Sequence, residues 1–131
     1  MAIRPDREVM TRQRLPYFIG ISGDTAGASG LSMHLVVIAP GARSEPHLHL
    51  EHEAAIYLLE GRVQTFYGPG LTESVISEAG DFLYIPPNVP HVAVNLSSTD
   101  AARAIVSRNV AAEQDKIRPY QIPDSESRGM A

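Results

Sequence analysis

An all-β fold, a sandwich or barrel with little helix, is predicted by two observations. Apolar segments of four to eight residues, rich in Val, Ile, Tyr and Phe, recur along the chain and stop at Gly, Pro or Asn; ten Gly and ten Pro among 131 residues supply the stops. Many short strands joined by turns leave this pattern. Gly or Pro also interrupts nearly every window long enough to show a helical period, which argues against helix through most of the chain. A chain of this length forms one domain and hides roughly two-thirds of its unfolded surface on folding. It contains no internal repeat, so a second barrel is not expected.

Residues 1–30 form an N-terminal arm: a charged opening, "MAIRPDREVMTRQR", then "LPYFIGIS" (15–22), a strand suited to a dimer interface, then the small-residue loop "SGDTAGASG" (22–30). The barrel itself is expected over 31–110. Its segments are "LSMHLVVIAPG" (31–41), "AAIYLLEG" (54–61), "RVQTFYGPG" (62–70), "SVISEAGD" (74–81), "FLYIPPNVP" (82–90), "HVAVNLS" (91–97) and "ARAIVSRNV" (102–110). Tyr57, Phe66, Tyr67, Phe82 and Tyr84 are read as barrel core. Residues 111–131 form a C-terminal extension. The stretch 109–120 admits a short helix or turn, and the polar "DSESRGMA" (124–131) is expected to be mobile.

Composition narrows the function classes. The formal charge is −4 and the acidic residues are scattered, so neither nucleic acid nor a membrane is expected as partner. Cysteine is absent, which excludes disulfides, thiolate metal sites and a cysteine nucleophile. The N-terminus is charged where a signal peptide needs an apolar core, and no apolar run approaches the roughly 18 residues of a membrane span. A cytoplasmic protein is expected.

Chemistry concentrates in "GARSEPHLHLEHEAAIYLLEG" (41–61), which holds three of the chain's five histidines, His47, His49 and His52, beside Glu51 and Glu53. Side chains alternate along a strand, so His47 and His49 share a face about 7 Å apart and can converge on one ion at roughly 2 Å from each nitrogen. His52 and Glu53 come closely enough after them to add a ligand once the strand bends, and Pro46 favours an edge or bulge there. His91 begins a strand directly after the turn "IPPNVP", which fixes where its imidazole lands. His34, in "LSMHLVV", has no such partner motif and reads as a packed or rim residue.

Taken together, the two segments resemble the paired motifs of the cupin superfamily, small antiparallel β-barrels of the double-stranded β-helix or jelly-roll kind. The first family motif runs G, five residues, H-x-H, three or four residues, E, six residues, G; Gly41, His47, His49, Glu53 and Gly61 stand in that order here. The second runs G, five residues, P-x-G, two residues, H, three residues, N; Gly80, Pro86, Asn88, His91 and Asn95 fit, with Asn88 where glycine is usual. Asparagine is the best non-glycine occupant of a positive-φ turn. Gly61-Arg62 sits where the family makes its tight inter-strand turn, and Arg43 and Arg62 read as rim residues.

One departure matters. Counting back six residues from Gly61 puts the family's glutamate at Ala54, whereas Glu53 satisfies the count from His49. In the register set by Gly61, Ala54, Ile56 and Leu58 face inward, Ala54 and Ile56 line the pocket, His52 shares their face and Glu53 points away. Two ligand sets therefore stand: His47, His49, Glu53 and His91, the common set of the family, or His47, His49, His52 and His91.

The resemblance implies one divalent transition metal ion per chain, Zn, Ni, Fe or Cu, since imidazoles disfavour Mg and Ca. It also implies a small, largely apolar organic substrate, handled by Lewis-acid chemistry of the cyclase or isomerase kind or by oxygenation. The alternative is a non-catalytic metal- or ligand-binding module, a sensor or carrier. A homodimer is expected by the same analogy.

Overall fold

The computed structural model describes residues 1–5, 8–112 and 117–122. Its strands are β1 (Glu8–Met10), β2 (Pro16–Ile21), β3 (Ser32–Ile38), β4 (His47–His49), β5 (Ala54–Glu60), β6 (Arg62–Tyr67), β7 (Glu73–Glu78), β8 (Phe82–Ile85), β9 (His91–Asn95), β10 (Ala102–Arg108) and β11 (Ile117–Pro119). A single helical turn, α1 (Gly23–Ala26), and a 3-10 turn at Pro69–Leu71 are the helical elements among the described residues. The expected all-β class is what the chain adopts.

Two antiparallel sheets face each other. One has six strands in the order β1-β2-β3-β10-β5-β8; the other has five, β11-β4-β9-β6-β7. Strand alternation places the core between them. In β10, Ala102, Ala104, Val106 and Arg108 are buried while the residues between them are not. In β5, Ala54 and Leu58 are buried on the inner face, which agrees with the register counted from Gly61. Val36, Ile38, Val63 and Ile85 close the same apolar cluster.

Alternation also corrects the reading of the aromatics. Leu83 and Ile85 are the inward residues of β8, so Phe82 and Tyr84 point outward and are 81% and 59% exposed. Tyr57 lies on the outer face too, its ring 4.7 Å from that of Phe82. Tyr67 is also exposed. By contrast Tyr17, in the N-terminal strand, is 2% exposed and belongs to the core. Periodicity marks the strands; which parity faces inward is decided by pairing across the sheet.

Two further expectations changed. The loop at 22–30 contains α1, started by a capping box between Ser22 and Thr25. Residues 109–112 are not helical, and 117–119 form β11, which pairs with β4; residues 113–116 lie outside the described set. The tail at 124–131 also lies outside it.

The turns that shape the site are held by specific side chains. Gly61 has φ +100°, and a Cβ there would lie 2.9 Å from the Ala102 side chain, so glycine is required on both counts. Asn88 has φ +64°, the left-handed conformation its place in the second motif requires. Asn95, 2% exposed, donates from Nδ2 toward the carbonyls of Ile38, Ala39 and Asp100 and accepts from the Ser97 amide, so it ties the end of β3 to the β9–β10 connection.

Candidate metal centre

Strand β4 is short and held on both sides. β11 pairs along its whole length, and His47 stands directly opposite His91 of β9. The loop before it is fixed by Ser44, whose amide donates to the Ala93 carbonyl and whose Oγ accepts from the Ala93 amide. The Tyr120 amide donates to the Pro46 carbonyl, 3.0 Å away. After β4 the chain turns through Glu51 at φ +66°, and the Asn88 side chain accepts from the Glu51 amide while its backbone donates to the His49 carbonyl. The two turns thus clamp the histidine strand.

Side chains two apart on β4 and one directly across on β9 must meet. His47, His49 and His91 each offer a ring nitrogen, and those nitrogens lie within 4.8 Å of one another. All three residues are buried. The ring centroids of His47 and His91 are 4.2 Å apart, and those of His47 and His49 are 5.2 Å apart.

The orientation of two rings is fixed from behind. His47 Nδ1 lies 2.7 Å from the Glu45 carbonyl and His91 Nδ1 lies 3.0 Å from that of Val89. A carbonyl only accepts, so each Nδ1 carries the proton and each Nε2 presents a lone pair. This is the arrangement in which histidines bind metals, the second nitrogen anchored by a carbonyl. Burial keeps the rings neutral: it lowers the pKa of His47 well below the usual histidine value and, opposed by the Val89 hydrogen bond, brings that of His91 to about 4. For His49 burial acts first and the nearby Arg108 charge second, again downward.

His52 and Glu53 take other positions. Glu53 is exposed, its carboxylate accepting from the Tyr84 hydroxyl at 2.9 Å and its amide donating to the Asn109 side chain. That hydrogen bond raises the Tyr84 pKa. His52 is half-buried; its Nε2 is shielded from solvent with no hydrogen-bond partner, and its charge would oppose protonation of His49. The three-histidine group does not include either residue. His34 is packed away from the group, accepting the Gly20 amide at Nδ1.

His47 and His91 line a cavity of about 70 Å³. Its wall is mostly apolar, with Val36, Ile38, Leu58 and Ile85 among its residues, and Ile56 lines it as well. Ala54 is packed into the core beside it. Gln13, Tyr17 and Arg108 are among the polar residues lining the same space that the motifs did not identify. Arg108 is 6% exposed and reaches His49 Nε2 at 3.1 Å and the Tyr17 hydroxyl at 3.4 Å. Gln13 donates to the same hydroxyl at 2.9 Å. The signal for Arg108 was present in the alternation of "ARAIVSR", where it falls in phase with the inward Ala102, Ala104 and Val106.

Residues 34–107 match the family described as the cupin domain, more than half of the chain. The chain belongs to the cupin family. Among solved structures, this cupin is similar to the polyketide cyclase RemF from Streptomyces resistomycificus, at 22% identity and a TM-score of 0.68 over 92% of this chain and 80% of that one. It is similar at 24% identity and a TM-score of 0.69 to a Cupin 2 conserved barrel domain protein from Salinispora arenicola, covering 88% and 93% of the two chains. The oxalate decarboxylase of Lactobacillus farciminis matches with a TM-score of 0.72 and 18% identity over 86% of this chain, which spans only 33% of that enzyme. No curated protein matches the chain in sequence. Among the described residues no helix is long and apolar enough to cross a membrane.

The residues present fit a bound metal ion. Three neutral imidazoles converge, and two of them present Nε2 lone pairs set by backbone carbonyls.

Proposed function

We propose that this cupin holds one divalent transition metal ion, Zn, Ni, Fe or Cu, on His47, His49 and His91, and acts on a small, largely apolar organic molecule. The observation that carries this reading is three buried imidazoles gathered together, two of which, His47 and His91, line a mostly apolar cavity. When bound, such an ion supplies Lewis acidity toward a carbonyl or enolate oxygen, or a site for oxygen activation if it is iron or copper. The chain's own residues do the rest. Apolar walls exclude water and orient the substrate body, and the carbonyls of Glu45 and Val89 hold the ligand tautomers. His52, which lies outside the three-histidine group, is our candidate for the general base.

Elemental mass spectrometry on untagged protein purified without chelator tests the reading, with His91→Ala in parallel. About one zinc or nickel per chain, lost in the variant, favours cyclase- or isomerase-like chemistry; iron or copper favours oxygenation. Wild-type protein that holds no metal and takes none up on titration leaves a ligand-binding module instead.

We further propose that two copies pair through the outer face of the six-stranded sheet. Phe18, Leu35, Ile105, Tyr57 and Phe82 stand in one cross-strand row there. Sedimentation equilibrium giving a monomer at micromolar concentration is the outcome that removes this pairing.

A further inference from the structure

The cavity beside His47 and His91 has a wall that strand alternation arranges in levels. Ala93 follows His91 by two residues on β9 and faces the same way, and Thr65 of β6 pairs with it. On the facing sheet Val106, Ile56 and Leu83 form one cross-strand row. All five residues line the cavity. Ile56, Leu83 and Ala93 pack against the core yet are only half-buried, whereas Val36, Leu58, Val63 and Ile85 around the same space are buried. The free space therefore lies against Ile56, Leu83 and Ala93.

Its size limits what can occupy it. An apolar cavity of about 150 Å³ accepts benzene, a molecule of six carbons. On that scale the space here, about 70 Å³, takes roughly three non-hydrogen atoms. The wall resists a larger guest, because close-packed side chains forced apart leave their preferred rotamers. Ile56 is branched at Cβ and has few rotamers to offer, and the β5–β8 ladder fixes it opposite Leu83.

Polarity limits the occupant further. Among the residues against the free space Thr65 supplies the hydroxyl and the others are aliphatic. An aliphatic group is stabilised on leaving water for such a space in proportion to the area it buries. A group carrying hydroxyls or charges on every side would lose water partners that this wall does not replace.

We infer that the cavity takes a short aliphatic group of about three carbons, with Ile56 and Leu83 setting that limit and excluding aromatic rings. The substrate is thus aliphatic at the end that enters, its polar group directed to His47 and His91, which border the same space. This rests on the function proposed above and narrows its substrate class.

Methyl NMR on the full-length, chelator-treated protein tests the inference, with cyclopropane and benzene as neutral probes. In the wild type, cyclopropane should shift the Ile56 and Leu83 methyl signals saturably, and benzene should bind at least about tenfold more weakly. Ile56→Ala opens the space to about 150 Å³, so benzene should then bind at least as well as cyclopropane. Ala93→Leu fills the space and should abolish the cyclopropane shifts. Benzene binding to wild type within about twofold of cyclopropane overturns the inference. So does a wild type without saturable cyclopropane shifts, an Ala93→Leu variant that keeps them, or an Ile56→Ala variant that gains nothing for benzene. Should Ile56→Ala fail to fold by circular dichroism, Leu83→Ala at the paired position takes its place. Nickel titration of the same wild-type sample reads the metal centre separately, so a failed cavity and a failed metal centre are told apart.

Discussion

Two stretches of the same histidine-rich segment behave oppositely. His47 and His49 sit on a strand paired on both sides, buried, neutral and facing His91; three residues on, His52 and Glu53 lie past a left-handed bend at Glu51, and Glu53 is turned to solvent. The composition of the two stretches is similar. The difference is whether backbone pairing dictates the face. Within β4 alternation is enforced by the ladder, and the bend at Glu51 resets the phase of His52 and Glu53.

The sharpest way to break this contrast is to delete a ligand. His91→Ala or His47→Ala should weaken zinc or nickel binding by more than about a hundredfold, beyond the 10- to 100-fold loss typical of supporting residues. Competition against a chromophoric chelator measures it. Retained affinity in both variants would show that the ion sits elsewhere.

Acid should come next in size. Above the unfolded histidine pKa near 6.5 both states carry neutral rings, so these groups make no difference to stability there. As the pH falls below about 6.5 the unfolded chain takes up protons that the folded chain refuses, until His91 titrates at about 4. Metal-free protein should therefore lose of order 3 kcal/mol over that window from His91 alone, with His47 and His49 acting in the same direction. Urea midpoints at several pH values check this; a flat profile between pH 6.5 and 4 contradicts it.

The clamp between the two turns can be loosened separately. Asn88→Ala removes the acceptor for the Glu51 amide and puts alanine at a positive φ, a cost of about 1–3 kcal/mol. Asn88→Gly restores the backbone freedom without the hydrogen bond and should lie between alanine and wild type in thermal melts.

The smallest effect belongs to the outward stretch. Glu53→Gln and Tyr84→Phe each weaken or remove one exposed hydrogen bond, so stability should change by about 0.5 kcal/mol or less. Metal affinity should stay within about twofold. A loss in Glu53→Gln comparable to that in His91→Ala would restore the glutamate-containing ligand set.

Much of the site was readable in the motifs. His47, His49 and His91 could be named because their spacing from Gly41, Gly80 and Pro86 fixes their place on two strands. Asn88 could be assigned its left-handed turn because few residues tolerate one. Arg108 and Tyr17 were less visible, because strand alternation shows that a residue faces inward but not what it faces. Phe82 and Tyr84 were misread for a related reason: an aromatic in a strand suits either face, and only the pairing of β8 with β5 put Leu83 and Ile85 inside instead.

The sequence by itself therefore determined the all-β class, the barrel strands between 31 and 110 and the three converging histidines, since these depend on local alternation and turn chemistry. Tertiary structure alone decided that Arg108 reaches His49 and that Glu53 is bonded to Tyr84. The two contacts join residues 59 and 31 positions apart in the chain, and which side chains meet across such a distance is set by sheet register and packing.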